Sequence, residues 1–309
     1  MSSQPSPSRA CPKVSVGIPA FNSEKWIDAA IESILSQSLG DLELIISDNA
    51  STDGTYGICE RFARADSRVR LLRNERNLGA NRNFRAVFAV AQGTYFKWAA
   101  SSDWCAPTFI EKCVLALERD RTAVLACPRT AIFEHTLDTA QAYDHDIELL
   151  SPEPAARFVE LLSTLRLNNV MNGLICRDAL SRASRLGVYM SADVVLASEL
   201  ALMGRFLRID ERLFFRRMSV ETATKLMSPR EVALHIVPTA RAPLKFQEWR
   251  YHLGLLRATR FAGFPRRDWF RVIGYYLRDL FWSRRKLALD AWHSLRPRNR
   301  GKLVNAPRG

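Results

Sequence analysis

Two aspartates of this chain closely follow apolar runs that have the pattern of buried β-strands. Asp48 comes after Leu42 to Ile46, and Asp103 comes after the aromatic run Tyr95 to Trp98. Ligands of open α/β sheets bind outside the carboxyl ends of the strands, so carboxylates there are candidate contacts for a polar ligand or a hard divalent cation. Each aspartate also has a simpler alternative role, because Asp48 suits a turn and Asp103 suits the cap of a helix beginning near Pro107.

Four such strand patterns follow one another in the first third of the chain, with helical spacing between them. The strands are predicted over Val14 to Ala20, Leu42 to Ile46, Val69 to Leu72 and the run from Tyr95. The helices are predicted over Trp26 to Leu35, Tyr56 to Arg64 (with Asp53 or Ser51 as N-cap) and Phe84 to Ala91. Strand, helix and strand in that order form βαβ units, which build a parallel sheet. The chain is therefore predicted to be an α/β protein whose strand ends bring together Asn22, Asp48, Arg73 and Asp103.

The motifs at this predicted sheet edge narrow the class of ligand. Acceptor groups with one cation suit a polar, anionic ligand. The absence of a GxGxxG or GxxxxGKS/T segment disfavours the ordinary dinucleotide and P-loop classes. Six cysteines without a CxxC pair, and five dispersed histidines, favour reduced thiols packed in a core over a disulfide framework or a zinc site.

The ends of the chain differ from its middle in composition. Residues 1–12 lack the apolar core of a signal peptide and are predicted to be a disordered lead. With no run of 18 apolar residues, we expect no transmembrane helix and a cytoplasmic protein. The net charge is +13, and residues 230–309 carry 18 Lys/Arg against 5 Asp/Glu, whereas residues 1–229 carry 27 of each. This shift predicts a main domain over 13–228 and a basic extension over 229–309.

The basic extension also contains aromatic residues at helical spacing. One predicted face carries Trp269, Ile273, Tyr276, Leu277 and Leu280, with arginines on both sides. A basic, aromatic amphipathic helix suits an anionic membrane, so residues 245–292 are predicted to dock the protein peripherally on the inner membrane face. The alternative is a pair of helices packed on the main domain with a solvated basic face. Nucleic acid is an unlikely partner, because no nucleic-acid motif accompanies the charge.

Four stretches in the first half resemble the family 2 glycosyltransferases, which adopt the GT-A fold. They are VSVGIPAFN (Val14 to Asn22), DLELIISDNASTDGT (Asp41 to Thr55), LLRNERNLGANRNF (Leu71 to Phe84) and YFKWAASSDWCAPTFIEKC (Tyr95 to Cys113). The resemblance resumes over Tyr189 to Arg217. Four motifs in the right order are specific, although each alone would be weak.

The resemblance implies a Rossmann-like, mostly parallel sheet flanked by helices, with a nucleotide-sugar half over 13–120 and an acceptor half over 121–228. It implies a nucleoside-diphosphate sugar donor, a glycan or lipid-linked acceptor, and a role in cell-surface polysaccharide or glycolipid synthesis. The positions that match the donor site are Pro19, Phe21, Asn22, Glu24, Asp48, Asn49, Arg73, Asn77, Ser102, Asp103 and Arg217. Asp103 matches the acid that holds a divalent metal, Mg²⁺ or Mn²⁺, and Asp193 matches the catalytic base.

Simple chemistry explains why such an enzyme needs these groups. Breaking the sugar–phosphate bond leaves charge on a diphosphate, which a bound divalent cation offsets as a Lewis acid. The incoming hydroxyl loses a proton as it attacks, so a carboxylate is needed on the opposite side. A single direct displacement inverts the anomeric centre.

The chain departs from the family pattern at three places. Ser101 and Ser102 stand where relatives often have His-Asp, Ala192 stands where many have Glu, and Ser219 stands where a His often follows. These departures favour, as an alternative, a non-catalytic nucleotide-sugar binder or partner subunit. A third hypothesis is a basic nucleic-acid or membrane-binding protein with an inactive domain.

Several residues near the proposed base have alternative roles. Asp193 is otherwise an exposed residue at a helix N-terminus, where the helix dipole favours an acid. Glu199 is predicted to be a surface or supporting acid on the body of that helix. Arg216 and Arg217 are either a solvated pair or supply one cation to the diphosphate.

Overall fold

A computed structural model describes residues 11–184, 186–219, 228–241, 243–261 and 266–295. Residues 1–10 of the predicted disordered lead (1–12) therefore lie outside the described residues. Residues 296–309, at the end of the basic extension, lie outside them as well.

The described residues form one mixed sheet of nine strands. Its strands are β1 Val14–Ala20, β2 Leu42–Asp48, β3 Val69–Arg73, β4 Tyr95–Trp98, β5 Trp104–Cys105, β6 Ala123–Phe133, β7 Gln141–Tyr143, β8 Leu174–Cys176 and β9 Arg205–Arg217. The strand order is β3-β2-β1-β4-β8-β6-β9-β5, and β7 pairs with β6 at its side. Strands β3, β2, β1 and β4 are parallel, whereas β8 is antiparallel to both β4 and β6. The predicted α/β class and mostly parallel first half are confirmed.

Helices cover the sheet and continue into the C-terminal part. They are α1 Ile27–Leu35, α2 Thr55–Ala65, α3 Ala80–Ala89, α4 Phe109–Arg119, α5 Pro154–Thr164, α6 Arg177–Arg182, α7 Ala192–Met203, α8 Pro229–Ile236, α9 Gln247–Ala258 and α10 Arg266–Leu295. Short 3₁₀ helices occur at Leu137–Thr139, Asn169–Asn172 and Thr259–Phe261.

The first half packs tightly because β1 and β2 are apolar on both faces. Val16, Ile18 and Leu44 are fully buried between the helix layers, as expected for strands of a parallel sheet covered on both sides. Gly17 allows α3 to approach closely, since a Cβ there would lie 2.7 Å from a methyl of Val87. Cysteines 59, 105, 113 and 127 are buried in the core as free thiols.

The observed boundaries differ from the predicted ones at loop junctions. Helix α3 begins at Ala80, four residues earlier than predicted, because Gly79 adopts a positive φ of 86° and serves as its N-cap. Helix α2 is preceded by Gly54 and has no side-chain cap, so the prediction of Asp53 or Ser51 as N-cap was wrong. Asp53 Oδ1 instead accepts from the backbone N–H of Thr55, the first residue of α2, and Ser51 Oγ accepts from the Asn22 backbone N–H in the loop after β1.

The C-terminal helices share a hydrophobic cluster with the second half of the main domain. Phe158 of α5 and Val195 of α7 pack with Leu255 of α9 and Val272 of α10. The predicted extension is thus docked through apolar contacts in its described part. None of the described helices is both long enough and apolar enough to cross a membrane.

The face predicted for α10 is divided between the domain and the outside. Tyr276 points toward the domain, where its hydroxyl donates to the His252 carbonyl oxygen, while Ile273 and Leu277 are exposed. The prediction that these residues share one face was therefore wrong, because Tyr276 faces inward whereas Ile273 and Leu277 face outward. Because the inner face packs through Val272 and Tyr276, which are four residues apart and share a face, the residues that directly follow them, Ile273 and Leu277, lie about 100° further round the helix and point outward.

Candidate functional site

A cavity of about 600 Å³ opens at the carboxyl ends of the strands. Residues at the end of β4, at the start of α3, before the 3₁₀ helix at Asn169–Asn172, at the start of α7 and at the end of β9 line it. Asp103 and Asp193 are the only carboxylates among its described lining residues. The two acids that the sequence assigned to the metal and to the base therefore face one space.

Asp103 lies between β4 and β5 with only 9% of its surface exposed. Its Oδ1 accepts a hydrogen bond of 3.0 Å from the Arg217 backbone N–H, which ties the β4 end to the β9 end. The helix that follows has Thr108 at its N-cap and no side-chain cap hydrogen bond. The alternative role of Asp103 as a helix cap was therefore wrong.

Burial raises the pKa of the Asp103 carboxyl to about 6. The Arg217 N–H and the charges of Arg216, Lys97 and Arg217 oppose this shift, since each favours the ionised form. The raised pKa means that desolvation outweighs these cations. Asp103 is thus a carboxylate held in an unfavourable environment in which a further cation would stabilise its charge.

Lys97 lies in the middle of β4 and is not among the site residues predicted from the sequence. It is fully buried, its Nζ donates to the Asn172 carbonyl oxygen, and it lies 4.3 Å from the centre of the Phe109 ring. A lysine in an aromatic strand is a signal that a buried charge has a partner or a purpose. Here it contributes positive charge beneath the cavity near Asp103.

The two arginines at the end of β9 have different surroundings. The Arg217 guanidinium lies between the rings of Trp26 and Phe133, with distances of 4.1 and 4.4 Å to their centres. It donates to the carbonyl oxygens of Ser102, Glu134 and His135. Arg216 instead donates through Nη1 to Asn169 Oδ1 at 2.7 Å. Both line the cavity, but much of the donor capacity of Arg217 is already used by backbone oxygens.

Asp193 occupies the first turn of α7 and is partly buried. Its Oδ2 accepts from Asn168 Nδ2 at 2.8 Å. Ser191, the N-cap of the helix, has a φ of 58° in the left-handed region, where a residue with a side chain is strained. Strain of this kind persists where the surroundings enforce it and is common at functional sites.

Glu199 lies further along α7 and is 1% exposed. Of the two predicted alternatives, a surface acid or a supporting acid, the surface role was therefore wrong. Its Oε2 accepts from the Ser184 backbone N–H at 2.6 Å, and burial raises its pKa. Glu199 holds the segment before α7 against the helix rather than facing the cavity.

Asp48 lies at the centre of the first sheet edge, as the register of the strands shows. Ala20 pairs with Asp48, and Asp48 pairs with Arg73. The Asp48 side chain is fully buried and both of its oxygens accept from the Ser51 backbone N–H at 3.3 Å. Arg73 approaches it at 3.5 Å and lies over the Tyr56 ring. The turn role is therefore present, and the predicted contact with the nucleotide stays a prediction.

The loops after β1 and β2 are joined to each other by the residues assigned to the donor. Asn22, with a φ of 47°, accepts from the Thr52 N–H at 2.9 Å, and Glu24 accepts from the Gly54 N–H at 2.6 Å. Ala50 has a φ of 59° in the left-handed region. Asparagine tolerates this region, whereas the left-handed φ of Ala50 carries a steric cost of about 1 kcal/mol or more.

The remaining residues predicted for the donor site are Asn49 and Asn77, which are joined by a hydrogen bond, and Phe21 and Pro19, which are at least partly exposed. Asn49 Nδ2 donates to Asn77 Oδ1 at 2.8 Å, and Asn49 Oδ1 accepts from the Leu78 N–H. Phe21 is 43% exposed and Pro19 is half-buried beside it. Of the predicted site residues, only Ser102, Asp103, Arg217 and Asp193 line the cavity, and the others form the neighbouring rim of loops.

A divalent metal fits this site only in company with a bound donor. Within the described ranges, no group of three His, Cys, Asp or Glu side chains exists that would hold a metal ion. Asp103 supplies one carboxylate, and Ser102 beside it supplies no charge. Mg²⁺ sites commonly combine one or two carboxylates with substrate phosphates, so one acid in a cavity that has room for a diphosphate meets this requirement.

Comparisons with known proteins agree on one family. A model described as glycosyl transferase family 2 matches residues 15–182. An uncharacterized glycosyltransferase of Haemophilus influenzae is 36% identical over 110 residues, which cover 36% of this chain and 34% of that protein. The chain therefore matches only 34% of the length of this relative. It matches 50% and 40% of the lengths of two other relatives, putative glycosyltransferases of Bacillus subtilis.

Two solved structures resemble the chain over most of its length. Staphylococcus aureus TarS 1-349 in complex with UDP-GlcNAc has a TM-score of 0.57 at 14% identity, covering 90% of this chain and 89% of that one. A mannosyltransferase from Pyrobaculum calidifontis in complex with GDP-Man and Mn²⁺ has a TM-score of 0.52 at 17% identity, covering 92% and 85%. At these identities the likeness concerns the fold, and it confirms the predicted GT-A type architecture.

Proposed function

Since the chain belongs to glycosyl transferase family 2, we propose that it moves a sugar from a nucleoside-diphosphate sugar to an acceptor hydroxyl. The observation that carries the proposal is the single cavity lined by both Asp103 and Asp193. In this proposal Asp103 serves the diphosphate of the donor and Asp193 serves the incoming acceptor, and both carboxylates line the same cavity.

The donor would occupy the rim of loops and the β4 side of the cavity. Phe21 offers an exposed ring, and Asp48 with Arg73 offers a polar pair at the strand ends. Pro19, Asn22, Glu24, Asn49 and Asn77 shape the loops around them, and Ser102 and Arg217 adjoin Asp103. Structurally similar proteins have been solved with UDP-GlcNAc and with GDP-Man, so both are first candidates for the donor.

Asp103 would hold a divalent ion, Mg²⁺ or Mn²⁺, against the diphosphate. When bound, such an ion offsets the charge that develops on the leaving nucleotide. The protein's own contribution is the Asp103 carboxylate, positioned by the Arg217 N–H, with Arg216 and Lys97 adding positive charge to the same region.

Asp193 would act as the general base. It would accept the proton of the acceptor hydroxyl as that oxygen attacks the anomeric carbon and the bond to the diphosphate breaks. A single displacement with the base and the leaving group on opposite sides inverts the anomeric centre. This assignment accounts for a strained helix start at Ser191 that delivers a carboxylate into the cavity.

Nucleotide release from a panel of donors tests the proposal. With water as the acceptor of the sugar, the full chain is expected to release UDP from UDP-GlcNAc or GDP from GDP-mannose when Mn²⁺ is present, and to lose this activity when EDTA removes the ion. Calorimetry should show that Mn²⁺ strengthens nucleotide binding by at least about tenfold, because Asp103 alone is too few ligands for the free ion. Tight Mn²⁺ binding without nucleotide would contradict this arrangement.

The second candidate function is a non-catalytic nucleotide-sugar binder or partner subunit. It is favoured by Ser102 and Ala192, which remove two acids from the family pattern. Metal-independent nucleotide binding, together with no release from any donor, would support this candidate over the transferase.

The basic extension would dock the protein on the inner, anionic face of a membrane, near a lipid-linked or glycan acceptor used in cell-surface polysaccharide or glycolipid synthesis. Along α10, Phe270, Ile273, Leu277 and Phe281 recur at intervals of three and four and are exposed. Phe270 is 77% exposed and Trp282, beside this stripe, is 75% exposed. Exposed basic residues flank the stripe at Arg278, Arg284, Arg285 and Lys286. An outward face of apolar groups with cations beside it complements anionic lipid rather than water.

Replacing Phe270, Phe281 and Trp282 together with serine is expected to weaken binding to phosphatidylglycerol vesicles at least about tenfold, because three exposed apolar side chains would no longer enter the interface. Co-sedimentation with the full chain measures this loss. The control replaces Leu115, an exposed apolar residue of α4, with serine. Equal pelleting of the wild-type protein and the triple variant would contradict membrane docking through α10.

A further inference from the structure

Asn168 is the residue outside the predicted site that contacts the proposed base. Its Nδ2 donates to Asp193 Oδ2 at 2.8 Å, across a sequence separation of 25 residues, and both side chains line the cavity. Since one carboxylate oxygen is engaged by this bond, the rotation of the Asp193 carboxylate is set by Asn168.

The backbone at Asn168 forms a tight turn, and the side chains of Asn168 and Asn169 bind different partners. Its φ of −80° and ψ of 62° are those of an inverse γ-turn. The Asn169 N–H donates to the Leu167 carbonyl oxygen at 2.8 Å, which closes the turn. The Leu167 N–H donates to the Tyr143 hydroxyl at 3.2 Å.

Asn169 anchors this turn to β6, to the segment after β7 and to Arg216, which lines the cavity. Its Nδ2 donates to Thr130 Oγ1 and to Asp146 Oδ1 at 3.1 and 3.0 Å. Its Oδ1 accepts from Arg216 at 2.7 Å. Asn169 is 2% exposed, so this network is buried. The turn therefore has the rigid support that a group must have to hold a carboxylate in place.

The second polar atom of the Asn168 side chain lacks a partner. In the described part of the chain, Asn168 Oδ1 is buried and accepts no hydrogen bond. A buried acceptor without a donor costs free energy of folding. An apolar residue of the same size would avoid this cost but would lose the hydrogen bond to Asp193, so the polar contact that the Asn168 side chain makes is its N–H at Asp193.

We propose that Asn168 is a positioning residue for the sugar-transfer reaction, acting through Asp193 to fix the carboxylate for proton transfer from the acceptor. This inference rests on the proposed function of Asp193 as general base. Because Asn169 holds Arg216, the same turn also links the base to the cation on the donor side of the cavity.

The variant Asn168→Leu removes the N–H and the unpaired oxygen while keeping a similar volume. We expect kcat for nucleotide release, from whichever of UDP-GlcNAc and GDP-mannose the full chain turns over, to fall at least tenfold. The KM for that donor should stay within twofold, and the Tm should be unchanged or higher. Gln92→Leu, an amide-to-leucine change at an exposed position at the opposite end of β4, is the matched control and should leave kcat unchanged.

A double-variant cycle separates a role through Asp193 from an independent one. Asn168→Leu combined with Asp193→Asn should be no slower than Asp193→Asn alone, because a positioning residue has no effect once its target is gone. Wild-type kcat in Asn168→Leu, multiplicative losses in the double variant, or a lower Tm with weaker donor binding would each overturn the positioning role. A wild-type protein that turns over no donor would instead overturn the proposed function and this inference with it.

Discussion

Asp193→Asn is expected to lower the rate of sugar transfer by about 10²- to 10⁴-fold, which is the usual contribution of a positioned general base. The donor KM should remain within about twofold, because Asp193 lies in the first turn of α7 and is not one of the loop residues that the proposed function assigns to the nucleotide. Asparagine keeps the size and polarity of the side chain, so the loss would measure the proton-accepting ability of the carboxylate. Initial rates of nucleotide release at saturating donor give this value.

The control for this experiment is Asp178→Asn. Asp178 is also an acid in the first turn of a helix, α6, but its side chain is 82% exposed and pairs with Arg182. It therefore shares the interaction of an acid with the helix N-terminus without facing the cavity. If both variants lost activity equally, or if Asp193→Asn kept wild-type rates, the base assignment would be wrong.

Asp103→Asn is expected to remove the effect of Mn²⁺ on nucleotide binding and to abolish transfer, while making the folded protein more stable at pH 7.5. The activity loss follows because the amide carries no charge to bind a cation. The stability gain follows because the pKa of buried Asp103 is raised from 3.8 to about 6, so its ionised form costs about 3 kcal/mol of folding free energy at most. Calorimetric titration and thermal unfolding measure the two effects.

The sign of this stability change depends on pH. The folded-state pKa of Asp103 lies above its unfolded value, so the folded protein binds the proton more tightly between about pH 4 and pH 6. The free energy of unfolding therefore falls as pH rises through that window and stays low above it. The Tm advantage of Asp103→Asn should be largest at pH 7.5 and should vanish near pH 4.

An exposed aspartate provides the comparison for this pH series. Asp138 lies at the surface in the short 3₁₀ helix at Leu137–Thr139, and Asp138→Asn should leave the Tm within the small range typical of surface changes at every pH. A Tm for Asp103→Asn that is lower than wild type at pH 7.5 would show that the cations around Asp103 need its charge. That result would contradict the balance between burial and charge described above.

The two aspartates that line the cavity have different surroundings and are therefore proposed to have different roles. Asp103 is surrounded by cations and is buried at the end of the sheet, which suits a fixed charge that binds a further cation on the donor side. Asp193 accepts a hydrogen bond from the neutral amide of Asn168 and lines the cavity, where the proposed function assigns it to the acceptor hydroxyl. A change in one should therefore affect metal and nucleotide binding, and a change in the other should affect turnover.

Local sequence patterns were sufficient to predict the first half of the sheet and the position of its polar edge. Apolar runs over Leu42 to Ile46 and Val69 to Leu72 are strands because both of their faces are covered, and βαβ connections allow few arrangements. The parallel register then places Asp48 beside Arg73, at the edge where the sequence predicted them. The matching motifs likewise predicted the family to which the chain belongs.

Contacts between distant segments, in contrast, were decided by tertiary packing. The bonds from Asn168 to Asp193 and from Arg216 to Asn169 join residues 25 and 47 positions apart, and no local periodicity encodes such a pair. The burial of Glu199 depends on which side of α7 the segment before it covers. The outward direction of Phe281 depends on α9 occupying the other side of α10. The positions of the strands and their order in the first half of the sheet can thus be predicted from local sequence patterns. The hydrogen-bond partner of a polar side chain, in contrast, is determined only when separate elements pack together.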